Sequence, residues 1–388
     1  MKTLLIGYGC VGKGFYDILK KYSQAPLNLK TLCVKDPEKP RDGISGLNIS
    51  YNAIEEAGDE SYDLIAEAID DADYAAKIAG ITLKSGRNYV TANKKMVALQ
   101  LQQLLTWQKE YKGNILYEAA CCASIPIVHL LDHYFSNHPI DNISGILNGS
   151  SNYILDQVIE KDLTFEAALK QAQEAGFAEN DPTLDIEGYD AAYKLTILIW
   201  HALGIIIHPD AILRTGIQGL SQEDVEFASK NDLKIKPVAY AGFENGKIKA
   251  FVMPAIVSRQ NPLYNVDQEN NGIALNGKLW DQQFFSGKGA GAFPTGSAVF
   301  SDVQNIRQGF HYKIPEYIPN TIKVQNDFAI NVSLKGQWEI DATQHFAQLD
   351  SKKQENDYQR LTGKIKYSEL NKLTKLSKGK TFAGTLID

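Results

Sequence analysis

The chain has 388 residues, of which 44% are hydrophobic and 22% charged, and its formal net charge is -6. This length exceeds one ordinary hydrophobic core and predicts two or three domains, and the composition is that of a soluble globular protein. The modest negative charge and the lack of a Lys/Arg-rich run argue against a nucleic-acid partner, and no apolar run approaches the ~18 residues of a membrane helix.

The amino terminus and the cysteines predict a cytoplasmic, reduced protein. The opening MKTLLIGYGCVGKG has too short an apolar stretch for a signal peptide. The four cysteines, at positions 10, 33, 121 and 122, include no CxxC pair and make a poor framework for structural disulfides or a metal.

Residues 1–130 alternate short apolar runs with amphipathic stretches, a pattern typical of a parallel sheet with helices on both faces. The predicted strands are Lys2–Ile6, Leu29–Val34, Asp63–Ala68, Tyr89–Thr91 and Asn114–Glu118. The predicted helices are Val11–Lys21, Ala72–Lys84 and Leu99–Lys112.

The rest of the chain is mixed. The pattern predicts helices over Phe165–Gly176, which ends at a glycine cap, and over Asp190–Leu203. Residues 234–260 predict a hairpin with its turn at Glu244–Gly246. Residues 287–310 begin rich in glycine and continue as a helix, and residues 311–388 are polar and rich in lysine.

A glycine-rich turn directly follows the first predicted strand and opens the first helix. Gly7, Gly9 and Gly12 have the GxGxxG spacing, which permits a tight turn, close approach of a pyrophosphate, and close packing of helix on strand. The alternative is a glycine-rich turn without a ligand. The flanking strand and helix favour a dinucleotide site at the following residues: Gly7, Tyr8, Gly9, Cys10, Val11 and Gly12.

The end of the second predicted strand bears on the choice between NAD and NADP. An acidic residue at the strand tip would bind the ribose hydroxyls and favour NAD. Here Lys35 comes first, followed by Asp36, Lys39 and Arg41. Cations at this position suit a 2′-phosphate, so we favour NADP, with NAD or a plain solvated loop as the alternatives.

Two further segments carry candidate chemistry. Lys94 follows a predicted strand at the sheet edge where ligands gather, although a lysine there is more often plain surface. Residues 176–187 hold four carboxylates, which suit either the N-terminus of the next helix or a pocket for a cationic substrate group. That helix contains Asp190 and Lys194, four residues apart within an otherwise apolar run, so we expect a buried acid–base pair.

Six segments together resemble homoserine dehydrogenases. They are GYGCVGKG (7–14), TANKK (91–95), YEAACCASIP (117–126), GILNGSSNYIL (145–155), AGFAENDPTLDIEGYDAAYKLTIL (175–198) and GKGAGAFPTGSAVFSDV (287–303). The resemblance implies an α/β chain that reversibly reduces L-aspartate 4-semialdehyde to L-homoserine with NADPH or NADH, a step towards threonine and methionine.

The resemblance also implies a domain organisation and a homodimer, with a tetramer as the alternative. We expect an N-terminal Rossmann-type dinucleotide-binding domain from residues 1–130 plus about 287–310. An α+β substrate-binding and dimerisation domain would occupy residues 131–286, and a short divergent C-terminal tail residues 311–388. Many relatives end in a regulatory domain of βαββαβ pattern. That pattern does not fit residues 311–388 convincingly, so we expect a reduced or divergent tail that is at most a degenerate regulatory segment. We do not expect threonine feedback.

By resemblance, the catalytic residues are Lys194, its partner Asp190, and Lys94, which lies at the cofactor and substrate. Whether Lys194 transfers the proton alone or shares this role with Lys94 stays open. The substrate-binding positions are Glu179, Asp185, Gly149, Ser150 and Tyr153. The cofactor-binding set comprises the glycine turn together with Lys35, Thr91, Asn93, Lys94 and Gly291.

The family also binds a monovalent cation, usually sodium, through backbone carbonyls. The matching positions are Glu118, Cys121, Ala123 and Ile125. Here Cys121–Ser124 replace the glycines of the family's loop, which restricts the turn. Asp70 and Asp71 also stand where many relatives have two glycines.

A mechanism follows as a hypothesis. Aldehyde reduction needs a hydride on carbon and a proton on oxygen. Burial lowers the pKa of a lysine and a neighbouring carboxylate raises it, so we expect Lys194 to be the principal acid and base, oriented by Asp190. The alternatives are another two-domain dehydrogenase acting on amino acids or semialdehydes, and a non-catalytic NADP-binding sensor, which would not need these side chains.

Overall fold

The computed structural model describes residues 1–22, 27–41, 43–44, 46–244, 247–315, 328–355, 357–377 and 382–387. The strands in this part of the chain are β1 (Lys2–Ile6), β2 (Asn28–Cys33), β3 (Asn48–Ser50), β4 (Leu64–Glu67), β5 (Asn88–Thr91), β6 (Ile115–Leu116), β7 (Ile140–Ile146), β8 (Leu213–Arg214), β9 (Lys234–Glu244), β10 (Lys247–Val257), β11 (Asn270–Gly277), β12 (Asp281–Lys288), β13 (Ala329–Gly336), β14 (Phe346–Glu355), β15 (Tyr358–Lys366) and β16 (Phe382–Ile387).

The helices in the same described ranges are α1 (Cys10–Tyr22), α2 (Ala53–Gly58), α3 (Ala72–Lys84), α4 (Lys94–Tyr111), α5 (Ile127–His129), α6 (Gly149–Glu160), α7 (Phe165–Glu174), α8 (Thr183–Ile186), α9 (Tyr189–Leu203), α10 (Gln222–Lys230), α11 (Ala292–Arg307) and α12 (Tyr367–Leu376). None of these helices combines the length and apolar character needed to cross a membrane. Two residues of the predicted hairpin turn, 245 and 246, lie outside the described residues.

The chain divides into two compact units. The first comprises Met1–His138, Thr196–His208 and Gly287–Ile322, and the second comprises Pro139–Leu195, Pro209–Ser286 and Lys323–Asp388. The boundary falls within α9, which the sequence analysis placed wholly in the substrate domain. The second half of this helix joins the first unit through His201, whose ring nitrogens lie 3.0 Å from the Tyr117 hydroxyl and 3.4 Å from an Asp132 carboxylate oxygen.

The first unit contains a six-stranded sheet among its described residues, in the order β3-β2-β1-β4-β5-β6. Each neighbouring pair is parallel, which confirms the predicted α/β class and the Rossmann-type sheet. The strand order reverses between β1 and β4, and ligands of such sheets bind at the carboxyl ends of the strands beside this point. The glycine turn follows β1 and therefore lies at this crevice.

Polar caps fix two helices that begin at the same edge of the sheet. The Asp71 carboxylate accepts a hydrogen bond from the Tyr74 amide (2.9 Å) and caps α3. The Asn93 side chain likewise accepts from the Met96 amide (2.9 Å) and caps α4. Capping accounts for the aspartate at position 71, which the sequence comparison with relatives left unexplained.

The second unit contains a mixed sheet whose described strands run in the order β12-β11-β7-β9-β10-β16-β13-β15-β14, with β8 paired to β10. The longest ladder is the antiparallel β9–β10 hairpin, in register from Lys234↔Val257 to Glu244↔Lys247. Helices α6, α7 and α10 pack on this unit through a core that includes Ile154, Phe165 and Ile235.

The C-terminal strands differ from the expected separate extension. Among themselves β13 to β16 have the order β16-β13-β15-β14, which is the fourth, first, third and second strand of this segment. This is a βαββαβ arrangement whose first helix is reduced to a single turn at Ala342–His345. One short polar turn has no helical period for a sequence reading to detect, which is why the pattern did not fit residues 311–388.

The same segment is joined to the rest of the second unit by a ladder and by ion pairs. β16 runs parallel to β10, with Ala255 opposite Thr385. Buried Arg360 contacts Asp224 of α10 at 2.8 Å, and Lys335 contacts Glu223 at 2.9 Å. The described strands β13 to β16 therefore complete the second sheet.

Candidate active site

A buried ion pair lies near the start of α9. The Lys194 ammonium is 2.8 Å from Oδ2 of Asp190, one helical turn away. Only 7% of Lys194 and 5% of Asp190 is exposed. Charged side chains are rarely this buried unless they are paired and hydrogen-bonded, because leaving water costs each charge several kcal/mol. The pair thus has the apolar setting that the sequence predicted.

A backbone carbonyl also contacts the lysine. The Lys194 ammonium donates to the Leu147 carbonyl oxygen at 2.7 Å. The same oxygen accepts from the Asn271 side-chain amide at 3.1 Å. Leu147 follows β7, and Asn271 lies on the neighbouring strand β11, so the sheet itself fixes the acceptor that faces the lysine.

Asn148 connects the pair to the acidic loop. Its Nδ2 donates to Oδ2 of Asp190 at 2.9 Å and to Oδ1 of Asp185 at 2.7 Å. The sequence analysis did not single out Asn148, although an asparagine between a strand and a helix is a recognisable capping signal. The structure therefore gathers Asp185, Asp190 and Lys194 around Asn148.

Two of the other predicted substrate-binding residues, Ser150 and Tyr153, contact the acidic loop at Phe177. The Ser150 hydroxyl donates to the Phe177 carbonyl, and the Tyr153 ring lies 4.7 Å from the Phe177 ring. Gly149 begins α6, where a Cβ would approach the Glu269 carbonyl oxygen to 2.4 Å. Glu179 is exposed on the loop, with its carbonyl bonded to the Gln173 side chain at 3.0 Å.

In the first unit, the three glycines of the turn have different surroundings. Gly7 has φ +95°, and a Cβ there would lie 2.3 Å from the Ala68 carbonyl oxygen. A Cβ on Gly12 would lie 2.2 Å from the Gly7 carbonyl oxygen. A Cβ on Gly9 would meet no heavy atom of the described residues within 4 Å. Packing therefore explains two of the glycines, and open space for an approaching ligand suits the middle one.

The loop after β2 presents cations at the predicted ribose position. Lys35 and Lys39 are exposed. Arg41 bridges the loop, since its guanidinium donates to the carbonyls of Lys39 (2.8 Å) and Asp36. The Asp36 carboxylate accepts from the Glu38 amide at 2.9 Å, a contact within its own turn.

The end of β5 meets a buried acid that the sequence analysis did not assign. Glu67 ends β4, and its carboxylate accepts from the Thr91 hydroxyl (2.6 Å), the Tyr89 hydroxyl (3.1 Å) and the Ile69 amide (2.6 Å). Burial raises the pKa of Glu67 to about 7, against these hydrogen bonds. Glu67 directly follows the apolar residues Leu64–Ala66, and an acidic residue at the end of a buried strand is the sequence feature that could have identified it.

Two of the predicted cofactor residues after β5, Thr91 and Asn93, are buried and bonded to nearby groups, whereas Lys94 is half-buried. Thr91 is fully buried, and its hydroxyl also accepts from the Asn93 amide at 2.9 Å. The Asn93 side chain donates to the Ile69 carbonyl at 3.0 Å. Lys94 is the first residue of α4 and is half-buried. It belongs to the first unit, whereas Lys194 belongs to the second.

The predicted cation loop has a left-handed backbone at Cys122 and Ala123, the conformation that glycine adopts most easily. Cys122 has φ +51° and Ala123 has φ +42°, so two consecutive non-glycine residues are left-handed. Such a conformation costs about 1–2 kcal/mol per residue and requires support from the surroundings. Ser124 supplies part of it, since its amide and hydroxyl donate to the Lys288 carbonyl at 3.1 and 2.9 Å. Gly291 lies just beyond, before α11.

Two buried carboxylates clamp the two ends of this loop. The Glu118 carboxylate accepts from the amides of Val128 (3.0 Å) and His129 (2.7 Å), and the Glu118 amide donates to Asp302 at 2.8 Å. Burial raises the pKa of Glu118 to about 8 and that of Asp302 well above its usual range. Burial also lowers the pKa of His129 to about 4, and its ring nitrogens lie 3.4 Å from the Glu118 carboxylate and 3.4 Å from the Asp302 carboxylate.

The chain is similar throughout to proteins of one family. The family model for homoserine dehydrogenase matches residues 126–304. The homoserine dehydrogenase of Bacillus subtilis is 31% identical over 317 residues, covering 79% of this chain and 73% of the relative. That of Helicobacter pylori is 34% identical over 309 residues, covering 78% and 72%. The crystal structure of a homoserine dehydrogenase from Thiobacillus denitrificans matches with TM-score 0.89 and 26% identity, covering 100% of this chain and 98% of that one.

Glu67 should make the stability of the chain depend on pH. The pKa of Glu67 is 4.5 in the unfolded chain and about 7 in the folded chain. At pH values between these two, Glu67 is protonated in the native state and ionised in the unfolded state. The free energy of unfolding therefore falls as pH rises through this interval and levels off above it. Relative to Glu67→Gln, the wild type should lose on the order of 3 kcal/mol between pH 4.5 and 7.

Urea unfolding of both proteins at pH 4.5, 5.5, 6.5 and 7.5 measures this difference. Glu60→Gln is the control, because Glu60 is exposed and its replacement should leave the pH dependence unchanged. Parallel pH profiles for the wild type and Glu67→Gln would contradict the assignment.

Proposed function

The chain belongs to the homoserine dehydrogenase family, and we propose that the buried Asp190–Lys194 pair is its acid–base centre. The chain is a homoserine dehydrogenase, an NAD(P)-dependent oxidoreductase that acts on a CH–OH group. It reversibly reduces L-aspartate 4-semialdehyde to L-homoserine, a reaction that leads to threonine and methionine.

Lys194 is the residue best suited to handle the proton of this reaction. Bound nicotinamide supplies or accepts the hydride, and the protein must supply a proton to the aldehyde oxygen. Lys194 holds a proton at Nζ between Asp190 and the Leu147 carbonyl, at 2.8 and 2.7 Å. These two acceptors fix the ammonium in one position, which avoids reorganisation when the proton moves. Asp190 orients Lys194 and contributes negative charge towards the substrate.

The acidic loop supplies recognition of the amino acid. Homoserine and aspartate semialdehyde each carry an ammonium group, and Asp185 lies on the same Asn148 amide as Asp190. We assign Asp185 to the substrate ammonium, with Glu179 at the exposed edge of the loop. Ser150 and Tyr153 support the loop through its residue Phe177, and Gly149 allows the start of α6 to approach the Glu269 carbonyl.

We assign the dinucleotide to the glycine turn and favour NADP. Open space at Gly9 and the helix N-terminus of α1 suit the pyrophosphate, with Tyr8, Cys10 and Val11 alongside. Lys35 and Arg41 suit a 2′-phosphate. Thr91, Asn93, Lys94 and Gly291 remain assigned to the cofactor site, Thr91 and Asn93 through the backbone they hold.

We assign a sodium ion to the carbonyls of Glu118, Cys121, Ala123 and Ile125. The left-handed residues at 122 and 123 support this, because the loop keeps its turn without glycine. The carbonyls of Glu118 and Ile125 accept from the amides of Cys121 and Ile127, and each oxygen retains a second lone pair for an ion. Activity in sodium chloride should exceed that in choline chloride at equal ionic strength, and equal activities would refute the assignment.

Two further expectations remain proposals. All four cysteines lie among the described residues and none of them forms a disulfide, which supports a cytoplasmic location. The homodimer implied by the family is decided by sedimentation velocity of the purified chain, in which a monomer would refute it.

Substitution of Lys194 tests the acid–base centre. Lys194→Ala should lower kcat at least ~100-fold in both directions, the usual contribution of a general acid or base. Lys94→Ala should lower it less if Lys194 is the principal residue. Steady-state turnover with homoserine and with aspartate semialdehyde measures both effects.

Lys170→Ala is the matched control for that experiment, because Lys170 is exposed and pairs only at the surface with Glu174 at 3.8 Å. Unfolding midpoints of the same samples separate lost chemistry from lost fold, since Lys194→Ala leaves Asp190 buried without its cation. Turnover near the wild-type value in folded Lys194→Ala would exclude this residue as the acid and base.

Substitution of Arg41 tests the choice of cofactor. Arg41→Ala should raise KM for NADPH about 10-fold, the loss of one charge-assisted hydrogen bond, and change KM for NADH less than about 2-fold. Lys30→Ala is the control, because Lys30 is an exposed residue near the opposite end of β2. Equal increases of both KM values would show that Arg41 does not read the 2′-phosphate.

A further inference from the structure

Asn148 occupies the junction between β7 and α6. Its Oδ1 accepts from the Ser151 amide and the Ser151 hydroxyl, both at 2.8 Å, which caps α6. Its Nδ2 donates to the carboxylates of Asp185 and Asp190. Only 6% of Asn148 is exposed. Four hydrogen bonds therefore fix the side-chain amide completely.

The orientation of this amide follows from its partners. The Ser151 amide can only donate, so it requires the Asn148 oxygen. The two carboxylates accept hydrogen bonds, so they require the Asn148 nitrogen and its two hydrogens. A reversed amide would oppose an oxygen to both carboxylates and an NH₂ group to a backbone N–H, which is unfavourable at both ends.

This arrangement places two acids on one donor group. Asp185 and Asp190 would repel each other without a group between them, and Asn148 offers one hydrogen to each. Oδ2 of Asp190 also contacts the Lys194 ammonium, so Asn148 and Lys194 share one carboxylate oxygen. The two hydrogen bonds from Ser151 fix the Asn148 side chain, and Asn148 in turn sets the distance between Asp185 and Asp190.

We infer that Asn148 is a positioning residue that holds the ammonium-binding Asp185 in register with the Asp190–Lys194 pair. This inference rests on the proposed roles of those three residues. The amide fixes one end of the substrate relative to the group that exchanges its proton at the other end. Asn148 thereby contributes to selectivity for amino acids of one chain length, because a displaced Asp185 would no longer match that separation.

The capping role of Asn148 can be separated from its positioning role. Asparagine, aspartate and serine are nearly equal as N-caps, so Asn148→Ser and Asn148→Asp should both keep α6 capped. Serine lacks the two amide hydrogens, and aspartate adds a third negative charge beside Asp185 and Asp190. A purely structural role predicts three similar enzymes, whereas the positioning role predicts that activity falls from Asn to Ser to Asp.

The experiment measures homoserine binding by calorimetry, together with kcat, KM for homoserine and KM for NADP, for the wild type and both variants. Asn148→Ser should weaken homoserine binding and raise its KM at least ~10-fold, and Asn148→Asp should have a larger effect. KM for NADP should change little in both variants, and the unfolding midpoint should change little in Asn148→Ser. The extra buried charge of Asn148→Asp should lower its unfolding midpoint. Asn52→Ser is the control, because Asn52 caps exposed α2 in the first unit.

Three results would overturn the inference: homoserine binding within 2-fold of wild type in both variants, equal effects of serine and aspartate, or, in Asn148→Ser, a loss that tracks a lowered unfolding midpoint. Failure of the proposed function appears separately as retained turnover in Lys194→Ala. Direct binding of homoserine does not depend on which residue moves the proton, so the two failures are distinguishable.

Discussion

The cost of burying the Lys194 charge organises the second unit around it. An ammonium in an apolar helix is tolerated only where acceptors replace the lost water, and two are provided at 2.7 and 2.8 Å. One is the carbonyl of Leu147 at the end of β7, and the other is Asp190 on the same helix. Their positions require β7, β11 and α9 to meet correctly, so the reactive group and the core of this unit depend on each other.

The contacts around Lys194 form one connected series of hydrogen bonds, in which each residue positions the next. Ser151 holds Asn148, Asn148 holds Asp185 and Asp190, and Asp190 holds Lys194. Each link is a hydrogen bond between buried or half-buried groups, where the low local polarity strengthens a satisfied bond and penalises a missing one. The acidic loop is tied separately, through Phe177, to Ser150 and Tyr153 on α6.

Much of this could be predicted from local sequence. The alternation of residues 1–130 gave the parallel sheet, and the apolar surroundings of Asp190 and Lys194 gave a buried pair. These features are local and periodic. Asn148 and Glu67 escaped because their roles come from partners 42 and 24 positions away, which no spacing rule connects. The order of the C-terminal strands was likewise not predictable, because it depends on the pairing of β16 with β10 and β13, which are distant in sequence.

The parallel pairing of β10 with β16 also bears on how the chain folds. Ala255 finds its partner Thr385 only 130 positions later, with part of the first unit in between. A long loop must therefore close before this ladder forms, and contacts of such sequence separation slow folding. During synthesis β8 can cover only Phe251 and Val252 of the mostly apolar β10 edge, and the first unit gains its last described helix, α11, before β16 covers more of that edge. The order of emergence along the chain thus makes the second unit the later of the two to mature.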